Sequence, residues 1–247
     1  KDYFDKKNAR LLIKNYGEFD IITFTNVFAH IEDLISLISN LKLIMSDKTI
    51  LIIENHYLGS ILRKKQFDTF YQEHPRSYSL KSFIEIAKKL NRNITGLEFP
   101  GRDGGNIRVF ISNQKALEKS EEDLDYIRLF EELNLDLLRW KNNKIYQLET
   151  LFKVHGPLPA KAFPGRATIL IKLLGLTENH ISAVYEIKGS VKTGKYVPGT
   201  RIPILPEKDL YKLKEQKPII NLAWHIPHAV RHNLSQNNYL AEVIDIK

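Results

Sequence analysis

Cysteine is absent from all 247 residues, so neither a disulfide framework nor a thiolate zinc site can form within this chain. Its 12 glycines never form the G-x-G turn that follows the first strand of a nucleotide-binding sheet. The close backbone approach to a cofactor that such a turn provides is therefore not visible. No apolar run reaches membrane-spanning length and no signal peptide is apparent, which favours a cytoplasmic location and no membrane partner. His155, His180, His225, His228 and His232 lack metal-ligand spacing. His228 and His232 stand one helical turn apart without a third partner, so no metal is expected.

A hydrophobic content of 43% and a charged content of 27% describe a folded globular chain, long enough for one large domain or two ordinary ones. The net charge of +8 invites a test for nucleic acid. The basic residues are scattered, however, from Lys6-Lys7 through Arg63-Lys64-Lys65 to the lysines between Lys212 and Lys217. A solvated surface is the favoured reading, no nucleic-acid partner is expected, and a phosphate-bearing small substrate stays open.

Hydropathy divides the chain into two α/β pieces. Phe19 to Thr25 and Thr49 to Glu54 are short apolar runs expected to be strands covered on both faces. Leu34, Ile35, Ile38, Leu41 and Met45 recur between them at helical spacing, which makes a βαβ unit. The opening residues Lys1-Asp2-Tyr3-Phe4 are expected to enter a strand almost at once. Ser79 is a candidate N-cap for a helix carrying Phe83, Ala87 and Leu90, and strands follow at Ile94 to Phe99 and Asn106 to Ser112. Ser120 to Lys153 is charged and helical, a connecting hairpin that Asn142-Asn143 is expected to break. Strands at Lys161 to Phe163, Ile181 to Ile187, Ile219 to Trp224 and Glu242 to Ile246 alternate with helices, as in a second small Rossmann-like domain. Lys195 to Pro203, with its prolines and Gly199, reads as a fixed loop between strands.

Chemistry concentrates in Gln66-Phe67-Asp68-Thr69-Phe70-Tyr71-Gln72-Glu73-His74, where a phenol, a carboxylate and an imidazole fall within four residues. Removing a weakly acidic proton from carbon requires a base that titrates near neutrality, with neighbours that orient it. In a doubly wound sheet the residues just after each strand face the ligand, which adds Asn26 to His30 and Asn55 to Tyr57. Gly104-Gly105 allows a tight turn or a close backbone approach. Gly165-Arg166-Ala167-Thr168 falls where a strand turns into a helix, a natural place for an anion.

Taken in order, Gly17 to His30, Gln66 to His74, Gly104 to Val109, Gly165 to Leu170, Lys192 to Ile204 and Leu222 to His225 resemble the sugar C-methyltransferase family. The resemblance implies S-adenosylmethionine as cofactor and a nucleotide-linked keto-deoxysugar as substrate, methylated on carbon through an enolate. It implies the C-terminal part of a doubly wound Rossmann-like methyltransferase sheet, followed by a second small Rossmann-like α/β domain. The corresponding divisions are a partial methyltransferase domain over 1–117, a helical connector over 118–153 and a Rossmann-like domain over 154–247. Family members begin with a cysteine-rich zinc domain, so a missing N-terminal segment of the same protein is expected. His74 would be the general base, supported by Tyr71 and Glu73, with Glu73 holding the imidazole in one tautomer, and His30 beside them. Asn26 and Phe28 would touch the cofactor, and Asn55, Tyr57, Gly105, Arg108, Arg166, Thr200 and Arg201 the substrate. Asp103 and the run Pro75-Arg76-Ser77-Tyr78 depart from the family pattern. A relative that binds the nucleotide-sugar without methylating it, and a Rossmann-like oxidoreductase or epimerase, are the rival readings.

Overall fold

The computed structural model describes residues 3–118 and 124–247. They form two compact units, Lys1–Leu133 and Asn134–Lys247. The first unit opens with a helix, α1 (Lys6–Tyr16), in place of the expected strand. Asp5 starts it by accepting the Asn8 amide at 2.7 Å, which satisfies a donor the first turn leaves orphaned and contributes about 1 kcal/mol. Ala9, on its inner face, is wholly buried.

The chain continues through β1 (Ile21–Thr25), α2 (Leu34–Ile44), β2 (Ile50–His56), α3 (Leu58–Arg63), α4 (Leu80–Lys89), β3 (Asn93–Glu98) and β4 (Asn106–Ser112). β1 and β2 run parallel, as the helical spacing between them requires. β4 pairs antiparallel with β2 and with β3, giving the order β1-β2-β4-β3. The core lies where Leu37 and Leu41 of α2 and Phe83 and Ala87 of α4 meet Leu51, Ile53, Val109 and Ile111 of the sheet. β2 is buried at Leu51, Ile53, Glu54 and Asn55 and half-buried elsewhere. β1 is an edge strand, and Ile21 is 58% exposed, because a short apolar run reads alike for central and edge strands. Ser79 caps α4 through a reciprocal box with Ser82.

α5 (Tyr126–His155) is one helix of 30 residues, so the expected hairpin does not form. Asn142 and Asn143 are exposed on it, and an asparagine costs a helix under about 1 kcal/mol, too little to break one of this length. The expected helix start at Ser120 lies outside the described residues.

The second unit contains β5 (Leu158–Lys161), α6 (Ala167–Leu173), β6 (Ile181–Glu186), β7 (Ile204–Pro206), α7 (Glu207–Leu210), β8 (Ile219–Asn221), α8 (Pro227–Gln236) and β9 (Val243–Asp245). All its strands are parallel, in the order β7-β6-β5-β8-β9. Strand order reverses at β5, the mark of a doubly wound Rossmann-like sheet. β7 was not legible in the sequence, since it has three residues and ends in Pro206, a residue that sheets accept at an edge.

Candidate active site

In the first unit, chemistry gathers beyond the carboxyl ends of β1 and β2. After β1 the chain turns through Asn26, whose φ of 53° is left-handed, a conformation asparagine tolerates better than most residues. Its amide donates to the Glu54 carbonyl at 2.8 Å. A 3-10 turn, Phe28–His30, follows. Phe28 is fully buried, its ring packed edge-on against Phe24 and Tyr78, so the side chain supports the turn from within the core. Asn55, 1% exposed, accepts the Ala29 amide through Oδ1 at 3.3 Å and pins the same turn. His30 is left exposed at its end.

His74 meets this turn from the other side of the sequence. The rings of His30 and His74 lie 4.7 Å apart, those of Tyr71 and His74 4.6 Å apart. His56, the last residue of β2, adds a third imidazole 5.6 Å from His74. Two side chains hold the approach: Arg76 donates to the carbonyls of Ile31 at 3.2 Å and Glu32 at 2.8 Å. Tyr78 donates to the Phe28 carbonyl at 3.2 Å. Burial raises the Tyr78 hydroxyl to about 12, against a smaller opposing pull from Arg76, so it remains a donor throughout the working pH range.

A backbone carbonyl stands beside the imidazole that Glu73 was expected to orient. His74 Nδ1 lies 3.1 Å from the Thr69 carbonyl, and a carbonyl only accepts, so Nδ1 carries a proton and the neutral ring has its lone pair on Nε2. Glu73 instead accepts the Tyr71 hydroxyl at 3.2 Å. These residues occupy a turn behind the 3-10 segment Phe67–Thr69.

Glu54, 3% exposed, is the electrostatic centre beneath the cluster. It accepts Arg102 Nε at 2.5 Å, Asn106 Nδ2 at 2.9 Å and Arg108 Nε at 2.8 Å. Arg108 also reaches Glu98 at 2.5 Å. Desolvation pushes the Glu54 carboxyl upward, but the donors from Asn106, Arg108 and Arg102 outweigh it and hold it below the ordinary range. Arg108, expected to touch substrate, is thus committed to the framework. Tyr57 is likewise buried, 2% exposed, with its ring against Phe99.

Gly104 and Gly105 have φ of 88° and 124°. Their close approach serves the protein's own side chains. A Cβ on Gly105 would come within 2.6 Å of Ser60 Oγ, and one on Gly104 within 1.9 Å of Gln66 Nε2. Replacing Gly105 by alanine combines that clash with a backbone geometry closed to L-residues. We expect it to destabilise the first unit by about 1–3 kcal/mol, read as a lowered urea midpoint.

In the second unit, Gly165 and Arg166 form the turn between β5 and the seven-residue α6. The neighbouring Phe163 amide donates to Glu186, and Lys192 Nζ to the Phe163 carbonyl. A carboxylate that is 8% exposed therefore stands against the turn where an anion was expected. Lys161, 2% exposed, pairs with Glu207 at 2.5 Å. Thr200 and Arg201 precede β7 and lie at the amino edge of the parallel sheet, where Thr200 Oγ1 donates to Val197 at 2.9 Å and the Arg201 amide to Glu178. They do not join Arg166, which follows β5 at the carboxyl edge.

A family described as the C-methyltransferase C-terminal domain matches residues 102–241, more than half of the chain. The chain belongs to this C-methyltransferase family. It is also 25% identical over 232 residues to C-methyltransferase NovU of Streptomyces niveus, an alignment covering 88% of this chain and 51% of that protein. The chain thus spans about half the length of that relative. Within the C-methyltransferase match fall Arg102, Asn106 and Arg108, the partners of Glu54, and nearly all of the second unit. The histidine cluster precedes it. Among the described residues, no helix is long and apolar enough to cross a membrane. No group of three His, Asp or Glu side chains among them is placed to share a metal ion.

Proposed function

We propose that this protein takes part in S-adenosylmethionine-dependent methylation of a carbon beside the ketone of a nucleotide-linked deoxysugar, with His74 as the base. The arrangement of His74 carries this reading: an imidazole whose Nδ1 proton is held by the Thr69 carbonyl presents Nε2 as a lone pair, with the Tyr71 ring 4.6 Å away. Membership of a C-methyltransferase family supports carbon as the methyl acceptor. The ordered motifs of the sequence support the sugar.

The cofactor fits the polar atoms at the strand ends. Asn55 Nδ2 and Asn106 Oδ1 are buried with no partner, and orphaned groups of this kind are costly unless a ligand or water meets them. Asn26 and Asn55 would hold S-adenosylmethionine. When bound, it supplies an electrophilic methyl group. His74 Nε2 takes the proton from the carbon next to the ketone. The Tyr71 hydroxyl, which donates to Glu73 in the resting protein, turns about its C–O bond, gives up that acceptor and donates to the enolate oxygen instead. His30 bounds the space from the turn after β1. Such chemistry belongs in the cytoplasm, with no nucleic-acid partner.

The test is mass spectrometry of a panel of keto-deoxysugar nucleotides incubated with the full-length protein and S-adenosylmethionine. A product heavier by one methylene supports the reading. Nicotinamide-dependent oxidation, or binding of the sugar nucleotide without any mass change, overturns it.

A further inference from the structure

We infer that His56 is a positioning residue for His74, a second imidazole whose charge lowers the proton affinity of the base. The inference rests on the proposed role of His74, although its test does not. His56 ends β2, where its backbone is fixed by the ladder: it stands opposite Asn106 in register. Directly opposed residues in an antiparallel pair share a face, and residues two apart along a strand share it too. His56, Asn106 and Glu54 therefore lie on one face. Asn106 is wholly buried and held by Glu54 at 2.9 Å and Asn26 at 3.2 Å. The next amide, of Tyr57, donates to the Gly105 carbonyl at 3.2 Å. The strand end thus offers His56 a rigid base, whereas His74 sits on a turn.

The His56 ring meets that of His74 at 5.6 Å with an interplanar angle of 69°. It stands edge to face with the imidazole from which Nε2 must act. The rings of His30 from the turn after β1, His56 from β2 and Tyr71 from its own turn stand about His74, Glu73 accepts the Tyr71 hydroxyl, and Asp68 of the preceding 3-10 turn and Arg76 just beyond are its charged neighbours in sequence. Of these, His30 and His56 are imidazoles like His74 itself, a side chain that as a class takes up a proton near neutrality. Two imidazolium cations this close repel, so each makes the neutral, basic form of His74 more populated near neutrality. Nothing in the Tyr-x-Glu-His motif contains this device, because its second member comes from another strand.

The experiment is a proton NMR titration of the histidine rings in the full chain, from about pH 5 to about pH 9, for the natural protein, His56→Phe and His56→Gln. Phenylalanine keeps a ring in place, and glutamine keeps a polar group; both remove the charge. Treating the cations as screened by water at this separation, the His74 midpoint should rise by about half a unit in either variant. A midpoint unmoved in both overturns the inference even if methyl transfer proceeds. A raised midpoint in a protein that transfers no methyl group supports it, and counts against the proposed reaction alone.

Discussion

Replacing His74 by glutamine will slow methyl transfer by about a hundredfold to ten-thousandfold in kcat, the usual worth of a positioned base, and leave the affinity for the sugar nucleotide close to its natural value. The expectation follows from where the ring sits. His74 is half-buried on a turn, so truncating it opens no core cavity. The turn itself is held by backbone and by neighbours: the His74 amide donates to the Tyr71 carbonyl at 2.8 Å, and Arg76 clamps the segment after it. Glutamine keeps a polar side chain of similar reach but has no lone pair that titrates near neutrality. An effect confined to kcat marks an interaction made in the transition state, and one confined to KM would mark simple binding. Steady-state kinetics with the natural and variant full-length proteins, together with calorimetry of sugar-nucleotide binding, separates the two.

Substitution of Glu54 by glutamine should cost the first unit about 3 kcal/mol by urea unfolding. Losing one partner of a buried ion pair costs about 3–5 kcal/mol, and the exposure of Arg102 and Arg108 places this case at the lower end. Glu54 joins the end of β2 to the Arg102–Gly104 turn and to β4, and through Asn106 to Asn26. Its loss would therefore loosen the floor under the histidines as well. The pH dependence has a definite sign. The folded carboxyl titrates below its ordinary range, so its contribution is complete above the unfolded value of about 4.3. It is lost as pH falls through the lower, folded value. Natural protein should consequently lose stability more steeply than E54Q below about pH 4. Parallel losses would show that the three donors do not favour the ionised form.

Much of the fold could be read from pattern. The βαβ unit, the Ser79 cap and the alternation of the second unit follow from short apolar runs, an apolar period of 3.6 and residues that satisfy helix ends. What escaped has physical causes. α1 begins at Asp5, but its apolar positions are too few for periodicity to outweigh its charges. β7 is too short to show a period. The unbroken α5 shows that two asparagines perturb a long helix weakly.

The site divides in the same way. Tyr71, Glu73, His74 and His30 were open to proposal from the sequence because a compact motif and a strand end announce them. His56 and Glu54 were not, because their partners are far apart in sequence: 18 residues separate His56 from His74, and Glu54 finds Arg102 and Arg108 only through strand pairing. Arg108 and Tyr57 carried the right chemistry for ligand contact, yet an ion pair and the core claim them. The tautomer of His74 is set by a backbone carbonyl, a group every residue has, so no side-chain motif could have indicated Thr69.

The central claim is that His74 Nε2 removes a proton from carbon, and solvent hydrogen exchange reports that step before any methyl group moves. Full-length protein would be incubated in deuterated water with a keto-deoxysugar nucleotide and S-adenosylhomocysteine, and deuterium at the carbon beside the ketone followed by NMR. We expect incorporation with the natural protein and almost none with His74→Gln. Equal incorporation by the two would contradict the assignment of the base.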